Sequence, residues 1–212
     1  MVFISLGSAC LVRQSIDIFN GFRGETNFFD WLMTNFTTVL FVFQHLNNPE
    51  SFLTIEKFID KGITSNNPKH RFIDHLQLNF SSLHDFPAEQ SFLDYYQIFV
   101  EKYIRRMNRL KNLILNYNQV INYILYIPYC EFIPTIEQIF YFIINIRELN
   151  PLCNFYIHLL IPPEIYYEKE KIDKLEICFN VKIHYMISDG SILNIQRTDL
   201  NFKEIYEKIL TL

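Results

Sequence analysis

The chain has 212 residues, half of them apolar and a fifth charged, with a formal net charge of -4. That length suits one domain of generous size, or one domain with an inserted arm. The negative balance argues against a duplex nucleic-acid binder, which needs a clustered basic surface. High Phe and Tyr content with abundant Ile, Asn and Lys suggests an AT-rich genome rather than a special binding chemistry.

The chain opens on an apolar run, Val2 to Leu6, which predicts a buried strand. Its start lacks a basic region, and the run ends at Gly7, so no secretory leader is expected. Gly7-Ser8 breaks the run and leads into a helix predicted over about Cys10 to Phe19. A second helix is predicted from about Thr34 to Leu46. The region at about 47–90 is polar and turn-prone, and it reads as an irregular inserted arm or as loops covering a site. A long helix follows, about Phe92 to Asn116.

The second half has the clearer rhythm. Val120 to Ile127, Asn154 to Ile161 and Val181 to Ile187 read as buried strands. Helices are predicted between them over Thr135 to Leu149 and Ile165 to Cys178. A short strand at Ser191 to Gln196 and a helix from about Asn201 complete the chain. Strands alternating with helices of this length predict a single α/β domain over 1–212, with a Rossmann-like, mainly parallel sheet flanked by helices. No apolar run approaches the length of a membrane span, and a cytoplasmic location is the expectation.

Ligands of open α/β sheets sit beyond the carboxyl ends of the strands. Cys10 is just past the first strand, at the mouth of a helix whose unpaired amides favour a thiolate. It reads either as a small packed residue or as a nucleophile, with Gly7, Ser8 and Ala9 supplying oxyanion or ligand contacts. The other cysteines, Cys130, Cys153 and Cys178, are widely spaced and read as buried small hydrophobes. No CxxC or HxxxH spacing suggests a metal, and no cofactor is expected.

A thiol nucleophile needs a base. Of six histidines, His84 stands out in the turn-like Leu83-His84-Asp85-Phe86-Pro87, whereas His158 and His184 lie inside apolar runs and read as packed. Asp30, in Phe29-Asp30-Trp31, reads as an orienting carboxylate or as the cap of a helix starting near Trp31. Asp85 is the other candidate for orienting a histidine. Arg105 and Arg109 are four apart on one helix face, either a solvated basic face or an anchor for carboxylate or phosphate.

Four elements occur in order: Ile4-Ser5-Leu6-Gly7-Ser8-Ala9-Cys10, Phe29-Asp30-Trp31, His84-Asp85-Phe86 and Arg105-Arg106-Met107-Asn108-Arg109-Leu110. In this the chain resembles an uncharacterised family labelled papain-like cysteine peptidases, over roughly residues 2 to 112. Its members occur in bacteria, often among surface-polysaccharide genes, and in large DNA viruses. The resemblance implies Cys10 as nucleophile and His84 as base. The chain departs from the family at Asn27-Phe28, where a proline usually precedes the Phe-Asp-Trp. Papain carries its cysteine on a long helix and its histidine in an antiparallel domain, so the alternating pattern here predicts a different fold from the label.

Three functions remain open from the sequence. One is a thiol-dependent hydrolase or acyltransferase acting on a small-molecule, peptide or glycan substrate. A second binds or transfers a phosphorylated ligand such as a nucleotide sugar. The third is a non-catalytic interaction protein.

Overall fold

The computed structural model describes residues 2–7, 10–21, 25–30, 32–65, 67–116, 118, 120–178, 180–187 and 201–211. Four parallel strands form the central sheet: β1 (Val2–Ser5), β6 (Val120–Tyr126), β7 (Asn154–Ile161) and β8 (Val181–Tyr185), in that spatial order. Ile4 pairs with Tyr123, Ile124 with His158, and Leu160 with His184. Such strands are apolar on both faces because helices cover both.

One face is covered by α1 (Cys10–Asn20) and α6 (Phe202–Ile209). Leu11, Val12 and Ile16 of α1 and Phe202, Ile205 and Tyr206 of α6 meet Ile124, Tyr126 and Leu160 of the sheet. The hydroxyls of Ser15 and Tyr206 bond at 2.7 Å and tie the two helices together. The other face carries α2 (Phe36–Gln44), α3 (Phe92–Leu115) and α4 (Ile136–Leu149). Asn35 caps α2 by accepting from the Thr38 amide, and Thr135 and Gln138 close a capping box on α4. These observations establish an α/β fold with a parallel sheet flanked by helices.

The inserted region is not irregular. It forms a second, antiparallel sheet in the order β2 (Leu32–Thr34), β5 (Phe80–Pro87), β4 (Asn67–His75) and β3 (Phe58–Thr64). Its strands buckle through register shifts at Asp60/Ile63 and Arg71/Ile73. Gly62 takes a φ of 82°, which its missing side chain permits, at one of those irregularities. Phe58, Phe80 and Phe86 pack on Phe99 of α3, and this cluster is continuous with the core under the parallel sheet.

Two other expectations change. The segment expected as one helix over Ile165 to Cys178 divides into 3-10 turns at Pro163–Glu168 and Lys174–Ile177 around a short α5 (Lys169–Asp173). The break falls at Ile165, whose φ of -117° and ψ of 17° are not helical, just after Pro162-Pro163. In place of the helix expected from near residue 31, β2 starts at Leu32. The expected strand at Ser191 to Gln196 lies outside the described residues. No helix among the described residues is long and apolar enough to cross a membrane.

Candidate functional site

The carboxyl end of β1 is built tightly. Leu6 extends the ladder by donating its amide to the Ile124 carbonyl at 2.9 Å. Gly7 then turns with a φ of 86°, a conformation that favours glycine. A β-carbon there would stand 2.0 Å from Thr34 Oγ1, so the backbone and β2 approach too closely for any side chain. Thr34 Oγ1 donates to the Leu6 carbonyl at 3.2 Å, joining the two sheets at this point. Helix α1 starts three residues later, at Cys10. Ser8, Ala9 and the side chain of Cys10 lie outside the described residues.

One turn into α1 stands Arg13, almost fully buried. Its guanidinium donates to Asp17 at 2.6 and 3.1 Å, to the Glu25 carbonyl at 2.9 Å and to Asp30 at 3.1 Å. Asp30 also accepts from the Asn27 amide at 2.7 Å, so Oδ2 carries both bonds, whereas Oδ1 has no hydrogen-bond partner. Burial pushes the Asp30 carboxyl up to about 6, against the opposing pull of Arg13, the Asn27 amide and Arg106. Asp30 therefore closes the Asn27–Asp30 turn and does not cap a helix.

A second buried carboxylate lies on β5. Asp85 pairs with Lys102 and accepts from Ser82 at 2.5 Å and from the Tyr103 hydroxyl at 2.6 Å. Burial works to raise its pKa, but Lys102 and these hydrogen bonds outweigh it and hold the group below the usual carboxylate value. Burial, then the Asp85 charge, drives the Tyr103 hydroxyl well above its ordinary range, so it remains a donor.

Tyr103 and Arg106 share a turn of α3, with the Arg106 guanidinium 4.9 Å from the centre of the Tyr103 ring. Arg106 is only 6 % exposed, and its Nε and Nη1 have no hydrogen-bond partner. Its charge acts on both Asp30 and Tyr103. The sequence singled out Arg105 and Arg109 instead. Arg105 is exposed, while Arg109 pairs with Glu25 at 3.1 Å and donates to the Thr26 carbonyl. The overlooked signal is the burial stripe of α3, where Phe99, Tyr103, Arg106 and Leu110 recur at helical spacing. An arginine on an apolar stripe is the informative exception.

His84 sits on a strand rather than in a turn, with its side chain exposed on β5. Its ring meets His70 edge-on, with centroids 5.8 Å apart. Desolvation and the neighbouring His70 lower its pKa, while Asp85 pulls the other way. The neutral form therefore prevails at neutral pH and can accept a proton.

His158 and His184 are packed, as expected. His158 bonds His184 at 2.9 Å through Nδ1 and Asn122 at 2.9 Å through Nε2, crossing three strands on the α1/α6 face. Cys153 and Cys178 are buried, and burial raises both thiols. Cys130 corrects the expectation: it is only half-buried, because it lies in a short turn after β6 rather than in the core. Among the described residues, no group of three or more His, Cys, Asp or Glu is placed to hold a metal ion. In comparison with known proteins, no family model, curated protein or solved structure matches the chain.

Proposed function

We propose that the chain is a thiol-dependent hydrolase or acyltransferase on a Rossmann-like sheet, with Cys10 as nucleophile and His84 as base. The observation that carries this reading is a shared anchor. Arg13, three residues beyond Cys10, is bonded to the Glu25 carbonyl and to Asp30, and Arg109 of α3 donates to the Thr26 carbonyl of the same segment. Asp85, next to His84, is bonded to Tyr103 of α3. The helix start that bears the thiol and the strand that bears the histidine are thus both linked by side-chain hydrogen bonds to one long helix. That is the support a two-residue catalytic pair requires.

In this reading the Cys10 thiol gives its proton to His84, and the sulfur forms a bond to the substrate carbonyl carbon. The carbonyl electron pair moves to oxygen, where amides around Ser8 and Ala9 receive it. Collapse expels the leaving group, which takes the proton from His84 and leaves a thioester. Water or an acceptor hydroxyl then attacks the thioester and returns the proton to sulfur. Peptide hydrolysis and acyl transfer onto a glycan are the two versions that the family resemblance suggests.

The test is the pH dependence of Cys10 alkylation in the wild type and in His84→Ala. An activated pair gives reactivity well below the reference thiol pKa of about 8.5, and the profile shifts when His84 is removed. An ordinary profile, indifferent to His84, rejects the pair.

A second reading, non-covalent binding or transfer of a phosphorylated ligand such as a nucleotide sugar, is favoured by one observation. Arg109 lines an open cavity of about 390 Å³, and arginine holds phosphate well. Here phosphate-bearing ligands raise the melting temperature of wild type and Cys10→Ser alike. Absence of any shift in both removes this reading.

A further inference from the structure

Strand β5 bulges at the residue assigned as the base. Ile73 pairs with Ser82 and Arg71 with Phe86, so Phe72 of β4 alone faces Leu83, His84 and Asp85. In an unbroken strand Ser82 and His84 share one face and Asp85 lies on the other. Here Ser82 and Asp85 are both buried, and His84 is exposed. The Ser82 hydroxyl donates to Asp85 at 2.5 Å, and Tyr103 and Lys102 of α3 hold the same carboxylate. The bulge thus turns Asp85 in and His84 out, which is how such insertions re-aim a side chain.

An exposed imidazole rotates about two side-chain torsions, whereas a base must face one way. His70 of β4 supplies a wall. Its ring meets that of His84 at an interplanar angle of 75°, with centroids 5.8 Å apart, the edge-to-face geometry that aromatic rings prefer. His70 is itself half-buried, and its Nδ1 lies 3.3 Å from Asn67 Oδ1, a bond that orients the ring. Among the described residues, the charges acting on His84 are those of His70 and of Asp85 on its own strand. Lys102 meets the Asp85 charge, and Arg71, next to His70, is paired with Asp60 of β3 at 2.7 Å.

We infer that His70 is a positioning residue for the base: its ring fixes the direction of the His84 imidazole that the bulge brings to the surface. The inference rests on the Cys10–His84 reading. His70 acts through His84 and does not itself exchange a proton with the thiol.

The experiment follows Cys10 alkylation by mass spectrometry at stepped pH in the full chain, for wild type, His84→Ala, His70→Ala and His70→Phe. The His84 ring is titrated by NMR in the proteins that retain it. His70→Ala slows alkylation at neutral pH by about five- to tenfold, the bias that an aromatic pair gives to one orientation. His70→Phe keeps a ring and recovers most of that loss. Both changes remove the titrating neighbour, so the His84 titration moves upward, a shift that a merely structural role for His70 does not produce. If His84→Ala alters the alkylation profile and His70→Ala does not, the pair stands and the role of His70 is overturned. Equal slowing by Ala and Phe at position 70 overturns it as well. If His84→Ala alters nothing, the pair itself fails and the inference falls with it. The His84 titration in His70→Phe decides the matter even if His70→Ala does not fold, because an unmoved value denies the contact between the rings.

Discussion

Arg13 reaches across a loop to Asp30 at 3.1 Å, with the arginine side chain 4 % and the aspartate side chain 0 % exposed. The same guanidinium also holds Asp17 and the Glu25 carbonyl. One side chain of α1 thereby fixes the chain just before β2, and Gly7 and Thr34 hold the other end of that connection through their close contact. The first helix and the inserted sheet cannot move independently while both links are intact.

Removing Arg13 leaves Asp30 a buried carboxylate without its main counter-charge. Arg13→Gln is expected to cost about 3–5 kcal/mol in urea unfolding. Asp30→Asn costs much less, about 1 kcal/mol, because the amide oxygen still accepts from Asn27 and Arg13 keeps Asp17. Equal costs for the two changes would mean that the pair itself contributes little.

The pH dependence carries two opposed contributions. Burial, reinforced by the charges of His184 and Lys182, holds His158 down to about 3. Burial, Lys208 and Lys182 hold His184 down to about 4. Both titrate near 6.5 when unfolded, so between about 4 and 6.5 the unfolded chain binds more protons, and stability falls as the pH drops. Each proton contributes at most about 1.4 kcal/mol per pH unit. Asp30 acts in reverse. Its folded pKa of about 6 exceeds the unfolded 3.8, so its contribution is complete below 3.8 and is lost as pH rises through about 6. Two histidines outweigh one carboxylate, so net stability rises with pH across this window. His184→Gln should flatten that rise and Asp30→Asn should steepen it, as read from urea unfolding at stepped pH. The same slope in all three proteins would remove these groups from the account.

The parallel strands were legible because each is a near-continuous apolar run. The inserted sheet was not, because it buries so little of itself. Only Phe58 of β3 and only Ile73 and His75 of β4 are buried, and Asp60 and Gly62 are residue types typical of turns. Those strands form because partners lie beside them, and a local pattern does not display that. Arg106 was passed over for the same reason. Charge spacing drew attention to Arg105 and Arg109, but the apolar stripe of α3 determines which arginine is inside.

Tyr103 links the two halves of the polar network, so Tyr103→Phe is informative. The ring keeps its contacts with Phe28, Phe80 and Phe99, while Asp85 loses one of its donors. A hydrogen bond to a charged group is worth about 1.5–3 kcal/mol, and that is the loss expected in denaturant unfolding. The Asp85 carboxyl should also titrate higher, followed by carbon-detected NMR. A cost below a few tenths of a kcal/mol would show that Lys102 and Ser82 suffice.

The tightest point of the site offers the cleanest test of geometry. Gly7→Ala meets two obstacles: a φ of 86°, and a methyl group 2.0 Å from Thr34 Oγ1 and 3.2 Å from Thr34 Cβ. The backbone strain is of order 1–3 kcal/mol, and the overlap adds about as much. Thr34→Ala alone costs about 1 kcal/mol, for the lost bond to the Leu6 carbonyl. In the double variant Oγ1 is absent, so the overlap is eased while the strain persists. Unfolding measurements on all four proteins should give a favourable coupling of about 1 kcal/mol or more between the two positions. Strict additivity would instead assign the whole cost of Gly7→Ala to its backbone angle and deny the contact with β2 any part in shaping the turn ahead of Cys10.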